Sequence, residues 1–323
     1  MQADAHRGAA PVASWPPAVE GTGVDWIRSE REGIRDVLAE SGALIVRGFG
    51  LRAPAELEQV ALAMGVQVLD EYEGFTSRDK LAARVYSGSV WPTDQPMCHH
   101  HELSYLASPP RTMLLGCLAA PRVGGRTGLA DAERVLAALP ADVVERFERD
   151  GWLLRRTYRP TAGLSWQAAF RTDTRAGVES YCAANDIDVS WSPDGVLRTR
   201  QRRPAVIRHP LTGRRCWVNQ AAFLNEWTLE PAVREYLVYE YGADDLPINT
   251  AYGDGTEIAK TTVDAINQAY VDLSSAVKWV SGDLLLLDNL RTAHSREPFD
   301  GTRAMAVLLG DPTSLAADMD SSI

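Results

Sequence analysis

Cys98-His99-His100-His101-Glu102-Leu103-Ser104-Tyr105 decides how this chain is read: it sets three of the protein's six histidines side by side, with a carboxylate directly after them. On a β-strand, side chains two apart share a face, and two steps span roughly 6.6 Å. His100 and Glu102 are therefore expected on one face of a strand, converging on one metal ion, with His99 and His101 facing the other way. A register slip of one residue would reverse the faces and present His99 and His101 instead. In the expected register those two pack or hydrogen-bond behind the ligands, where orienting partners matter.

A third ligand has to come from elsewhere in the chain. His6 falls in an Ala- and Pro-rich arm, and His209 precedes Pro210 in a turn-like run. His294 follows the apolar strand Leu284-Leu285-Leu286-Leu287-Asp288, which makes it the natural partner. Two histidines and one carboxylate leave open coordination positions, the facial arrangement of non-haem Fe(II) oxygenases.

Composition bounds the remaining choices. The chain has 323 residues, 45% hydrophobic and 24% charged, as in an ordinary soluble globular protein. A net charge of −10 argues against a nucleic-acid or membrane-surface partner. The cysteines at 98, 117, 182 and 216 form no CxxC pair and read as free thiols of a reducing compartment. No signal-like apolar stretch opens the chain, and no run approaches the ~18 apolar residues of a membrane span. A cytoplasmic protein is expected.

Residues 1–20 read as a flexible arm, 21–312 as a single domain and 313–323 as a frayed end. Helical spacing covers 24–41 up to Gly42, then Ala43 to Phe49 reads as a buried strand. A helix at 54–64 closes at Gly65. Thr76 to Ser89 suits a loop and strand lining a pocket. Thr112 to Leu118 is a buried strand, Gly124-Gly125-Arg126-Thr127 a turn, and Ala130 to Leu139 a helix, with a further helix from Pro140 to Asp150. A helix is expected near 174–185 and a turn at Ser192 to Gly195. The basic stretch Arg198 to Arg208 reads as a solvated strand face. A hairpin turns at Leu211-Thr212-Gly213, helices cover 231–241 and Thr261 to Ser274, Asn249 to Gly255 is a turn, and Arg303 to Leu309 is the last strand. Strands around the ligands with helices between them, and no βαβ alternation, predict a mainly β protein with helical insertions and a double-stranded β-helix (jelly-roll) core.

The motifs His100-His101-Glu102-Leu103-Ser104-Tyr105, Gly124-Gly125-x-Thr127, Tyr252-Gly253-Asp254-Gly255 and Asp288-Asn289-x4-His294 through Arg303 occur in order. With them the chain resembles the taurine dioxygenase-like (TauD/TfdA) family of Fe(II)/2-oxoglutarate-dependent oxygenases from about Ala43 to Leu309. Within it, the branch linked to amino-acid tailoring in natural-product assembly is the most similar. The resemblance implies Fe(II) held by His100, Glu102 and His294, with 2-oxoglutarate and O2 as cosubstrates. It implies oxidative decarboxylation to succinate and CO2, coupled to hydroxylation of an unactivated C–H bond of an amino-acid-like substrate, free or tethered to a carrier protein. The far carboxylate of 2-oxoglutarate needs a guanidinium, which grips it with two parallel hydrogen bonds. Arg303 is the choice and Arg296 the competitor. Thr127 matches the family threonine that also contacts 2-oxoglutarate. Halogenating relatives replace the carboxylate ligand with a small residue, and here Glu102 is present.

Other positions keep two readings each. Arg78 binds a substrate carboxylate or is a solvated loop charge. The resembled branch implies an inward-facing strand position for Asn219-Gln220, where the pair touches substrate or makes a structural hydrogen bond. Asp288-Asn289 orients the His294 loop or turns the chain by Asx chemistry. The same cofactor chemistry also performs desaturation, cyclisation or epoxidation, and substrate placement of about an ångström decides between them. A non-catalytic metal-binding jelly-roll module leaves Arg303 and Thr127 without a task. A zinc hydrolase wants a general base beside a metal-bound water, and no further His-Glu pair supplies one.

Overall fold

The computed structural model describes residues 12–15, 23–69, 73–160 and 162–315. The run Leu284–Asp288 is its organising strand, buried at every position. Side chains alternate across a strand, and here both faces are covered. Leu284 and Leu286 point to a cluster with Ile27, Ile34, Leu57 and Val60, and Leu285 and Leu287 to a second cluster with Met113, Met305 and Val307. The first cluster is closed by helices Gly23–Ser29, Arg31–Ser41 and Glu56–Met64. The helix expected over 24–41 is thus two, broken at Glu30. Gly42 ends the second with φ of 73°, a left-handed cap only glycine adopts freely.

Around Leu284–Asp288 runs a six-stranded sheet in the order 12–15, 43–46, 284–288, 110–119, 304–312, 86–87. Its pairs are antiparallel except the first, Val12–Trp15 beside Ala43–Val46. Residues 12–15, which composition places in a flexible arm, therefore form an edge strand. The rest of that arm, His6 included, lies outside the described residues. Thr313 and Leu315 are tied to the carbonyls of Pro109 and Ala107, so the end expected to fray from 313 is held to 315; 316–323 lie outside the described residues.

A four-stranded sheet carries the candidate ligands, in the order Ser274–Val277, Thr127–Asp131, Thr292–Arg296, Met97–His100. The two sheets make the jelly-roll core. Thr127–Asp131 was expected as a turn running into a helix. Pairing on both sides makes it a strand, and the helix starts at Ala132, where the Asp131 side chain accepts from the amides of Glu133 and Arg134. Asn249 to Tyr252 was expected as a turn and is part of strand Ile248–Tyr252, paired with Trp152–Tyr158.

That last pair belongs to an inserted sheet with Leu197–Arg203 and Asp188–Trp191. The basic strand Leu197–Arg203 alternates: Arg200 and Arg202 are exposed, whereas Arg203 is buried and donates to the carbonyls of Tyr105 and Asn185. The four cysteines are free. Among the described residues no helix is long and apolar enough to cross a membrane.

Candidate metal centre and cosubstrate cavity

His100 ends strand Met97–His100 and is the antiparallel partner of His294. Directly opposed residues hold their Cβ atoms roughly 4.5–5.5 Å apart. Strand pairing alone therefore joins the two imidazoles, whose ring centroids lie 4.4 Å apart.

Glu102 arrives differently from the expectation. The strand stops at His100, and Glu102 sits in the turn after it, followed by Leu103 at φ of 52°. The same two side chains meet, but through a turn rather than along one face of a strand. Asn289 takes the place of a ladder partner. Its Oδ1 accepts from the Glu102 amide at 2.7 Å, and its Nδ2 donates to the carbonyls of Glu102 at 2.9 Å and Pro110 at 2.8 Å. Neighbouring Asp288 accepts from Leu290 N and pairs with His209 Nε2. Of the two readings kept for Asp288-Asn289, Asp288 makes the Asx turn, whereas the Asn289 side chain clamps the Glu102 turn rather than the His294 loop.

One ligand atom from each of His100, Glu102 and His294 lies within 4.8 Å of the others, and all three residues are buried. Glu102 Oε2 is 3.9 Å from His100 Nε2 and 3.7 Å from His294 Nε2. His100 Nδ1 lies 2.9 Å from the Cys98 carbonyl, which can only accept. The ring proton is therefore on Nδ1, and the Nε2 lone pair faces the carboxylate. Burial pushes the pKa of both imidazoles down, so both are neutral at pH 7, the state in which a metal binds them. Glu102 Oε1 is buried with no hydrogen-bond partner. A buried carboxylate with an idle oxygen beside two neutral imidazole nitrogens fits a divalent first-row metal.

His99 and His101 stand behind this centre, so the register slip does not occur. His101 Nδ1 donates to the Asn289 carbonyl at 2.6 Å. His99 Nε2 lies 2.9 Å from Ser274 Oγ, and its ring stacks on Tyr270. A Cβ on Gly128 would fall 2.9 Å from His99 Nε2 and 2.3 Å from Ser295 Oγ, so a side chain there would displace the His99 ring and the serine hydroxyl behind the site.

Beside the three residues is a cavity of about 70 Å³ that also takes in Arg78, Thr127, Arg296 and Arg303. Thr127 Oγ1 accepts from Trp279 Nε1 at 2.9 Å, which leaves its own hydrogen to donate. Arg303 Nε donates to the Gly125 carbonyl at 3.3 Å, and burial pushes its pKa down to about 10, still charged at neutral pH. Arg296 is more heavily committed: it donates to the carbonyls of Trp91, Pro92 and Gln95. Arg78 is not a solvated loop charge. Its Nη2 lies 3.0 Å from Glu102 Oε2 and 2.9 Å from Ser89 Oγ.

Asn219 and Gln220 do not line this cavity. Both follow strand Arg215–Trp217 rather than lying on it. Asn219 Nδ2 donates to the Ala205 carbonyl, and its Oδ1 accepts from Ala221 N, so it folds the chain. Gln220 is buried with neither amide atom partnered. Sequence reasoning passed over Phe223, three residues on, whose ring stacks on His100 at 4.2 Å between centroids. It also passed over Trp279 beneath Thr127. Nothing in their local sequence marks either.

The fold and this centre define the class. The family model described as "Taurine catabolism dioxygenase TauD, TfdA family" matches residues 10–309. The chain belongs to that family and is an iron- and 2-oxoglutarate-dependent oxygenase. Among known proteins it is similar to the dapdiamide synthesis protein DdaC of Enterobacter agglomerans, with 36% identity over 285 residues, 88% of this chain and 87% of DdaC. A clavaminate synthase-like protein of Arabidopsis thaliana is 26% identical over 88% of this chain and 86% of its own. Two solved structures share the fold. PvcB of Pseudomonas aeruginosa has a TM-score of 0.54 at 17% identity, covering 94% of this chain and 86% of PvcB. AAD-2, solved with Mn(II) and N-oxalylglycine, has a TM-score of 0.52 at 14% identity, covering 97% of this chain and all (100%) of AAD-2.

Proposed function

We propose that this chain hydroxylates an unactivated C–H bond of an amino acid, or of an amino-acid-derived substrate presented free or by a carrier protein, in natural-product biosynthesis. Residues 21–312 act as one oxygenase domain. The observation that carries the reading is the convergence of His100, Glu102 and His294 within 4.8 Å beside a cavity holding Thr127 and Arg303. DdaC is named for dapdiamide synthesis, and PvcB is described as an oxygenase of an isonitrile synthetic pathway, which supports a biosynthetic setting.

His100, Glu102 and His294 hold the ferrous ion, which with 2-oxoglutarate and O2 supplies the oxidising power for the C–H bond. Arg303 receives the far carboxylate of 2-oxoglutarate in its guanidinium fork, a charge-assisted contact. Thr127, fixed by Trp279, donates its hydroxyl hydrogen to the same carboxylate. Arg78, already between Glu102 and Ser89, is placed to meet a carboxylate of the substrate. Met97, Met113 and Met305 supply apolar side chains to the same cavity.

The test is anaerobic loading with Fe(II) and 2-oxoglutarate, then exposure to O2 with a panel of free and carrier-bound amino acids. Succinate release in step with gain of one oxygen atom by the substrate is the expected result. Loss of two hydrogens with no oxygen gained would assign desaturation or cyclisation instead. Bound iron with no O2 consumption across the panel would reduce the protein to a metal-binding module.

A further inference from the structure

Phe223, stacked on His100, also forms part of the wall of a second cavity of about 230 Å³. Trp91 is another part of that wall. Its ring lies 5.8 Å from that of Phe223, and its carbonyl accepts from Arg296 of the first cavity. The two cavities therefore adjoin at Phe223 and Trp91.

The polar side chains on the second wall are committed to the protein, Tyr158 through its hydroxyl to Glu73. Arg156 donates to Glu73 and to the Gly74 carbonyl. Asn225 is bonded to Thr250 and Trp227. Thr157 Oγ1 donates to Asp245, and Thr76 Oγ1 to the Val90 carbonyl. The larger part of the wall is apolar and includes Phe75, Trp91, Leu164, Phe223, Leu229 and Ile248. Phe75 meets Phe223 edge to face, with centroids 6.0 Å apart. A polar ligand would lose its water there with little in return, whereas an apolar one gains by leaving water. An engineered apolar cavity of about 150 Å³ already holds benzene, and this one is larger.

We propose that this chamber takes an apolar, ring-sized group of the substrate, with Phe223 as the partition between that group and the metal centre. The assignment of the ligand as substrate rests on the oxygenase reading above. The charged end of the same molecule belongs in the first cavity, near Arg78.

Fluorobenzene, followed by fluorine NMR, probes the chamber directly. Saturable binding is expected, displaced by L-phenylalanine and not by L-serine. Leu164→Trp fills the space from one wall and should weaken binding roughly tenfold or more. Leu229→Trp fills it from another, and melting curves establish that each variant is folded. Binding should persist within about twofold in His294→Ala, which separates the chamber from the metal centre. No saturable binding to the unaltered protein, undiminished binding in the folded tryptophan variants, or displacement by serine as readily as by phenylalanine would overturn the proposal. Should succinate never form with any substrate, the oxygenase reading fails while these NMR outcomes still decide whether the chamber is apolar and open to a ring.

Discussion

His100 and His101 are adjacent, alike and both buried, yet the fold gives them different work. His100 Nε2 faces Glu102, whereas His101 is spent on the Asn289 carbonyl. His100→Ala is expected to abolish stoichiometric iron binding and 2-oxoglutarate turnover. His101→Ala should keep its iron but lose about 2–4 kcal/mol of stability through a lost hydrogen bond and a cavity. Iron content per chain and denaturant unfolding of both variants check this. Equal iron loss in the two would sink the register. Arg303 and Arg296 separate in the same way. Arg303→Lys should raise KM for 2-oxoglutarate roughly 10- to 100-fold, since a hydrogen bond to a charged group contributes about 1.5–3 kcal/mol. Arg296→Lys should act mainly on stability, because its donors go to loop carbonyls. The reverse order in steady-state kinetics would make Arg296 the anchor.

At the scale of elements, the turn after strand Met97–His100 depends on Asn289. Asn289→Ala would leave the Glu102 amide and the carbonyls of Glu102 and Pro110 without partners, a cost of about 3 kcal/mol or more. Iron affinity should fall with it, and iron titration alongside unfolding measures both. Asn289→Asp, which points an oxygen at those two carbonyls, should fare no better. A second fastening ties the inserted sheet to the segment before Ile248. Hydrogen bonds from Arg198, with Arg159 nearby, pull the Asp245 carboxyl down to about 2 from its ordinary 3.8. A carboxyl lowered by folding stabilises fully above its unfolded pKa and loses that contribution as pH falls through its folded one. Asp245→Asn should therefore melt below the unaltered protein at pH 6, and the gap should close between pH 4 and pH 2. A gap that stays constant with pH would deny the ion pair its role.

The elements legible in the sequence were those whose own pattern suffices. Leu284–Asp288 is apolar throughout, and Gly42 and Gly65 mark helix ends that the structure keeps. Thr127–Asp131 and Ile248–Tyr252 were misread because Gly128 and Asn249 are residue types disfavoured in strands. Pairing with distant strands imposes the extended form on them. The triad was legible because few histidines were available and one had a carboxylate two residues on.

For the whole molecule, a ligand that binds only the folded state stabilises it by mass action. Mn(II) with 2-oxoglutarate at a hundred times Kd is expected to add about 2.7 kcal/mol. Calorimetry should show the melting temperature rising by several degrees, and a chelator should reverse it. An unchanged melting temperature would mean that the three residues hold no metal. By itself the sequence determined which side chains could bind that metal, since ligand chemistry belongs to residue types. Only the tertiary structure decided that a turn, not a strand face, delivers Glu102, and that Phe223 shields His100. Those positions follow from pairings and side-chain clamps between segments far apart in the chain, which local spacing does not encode.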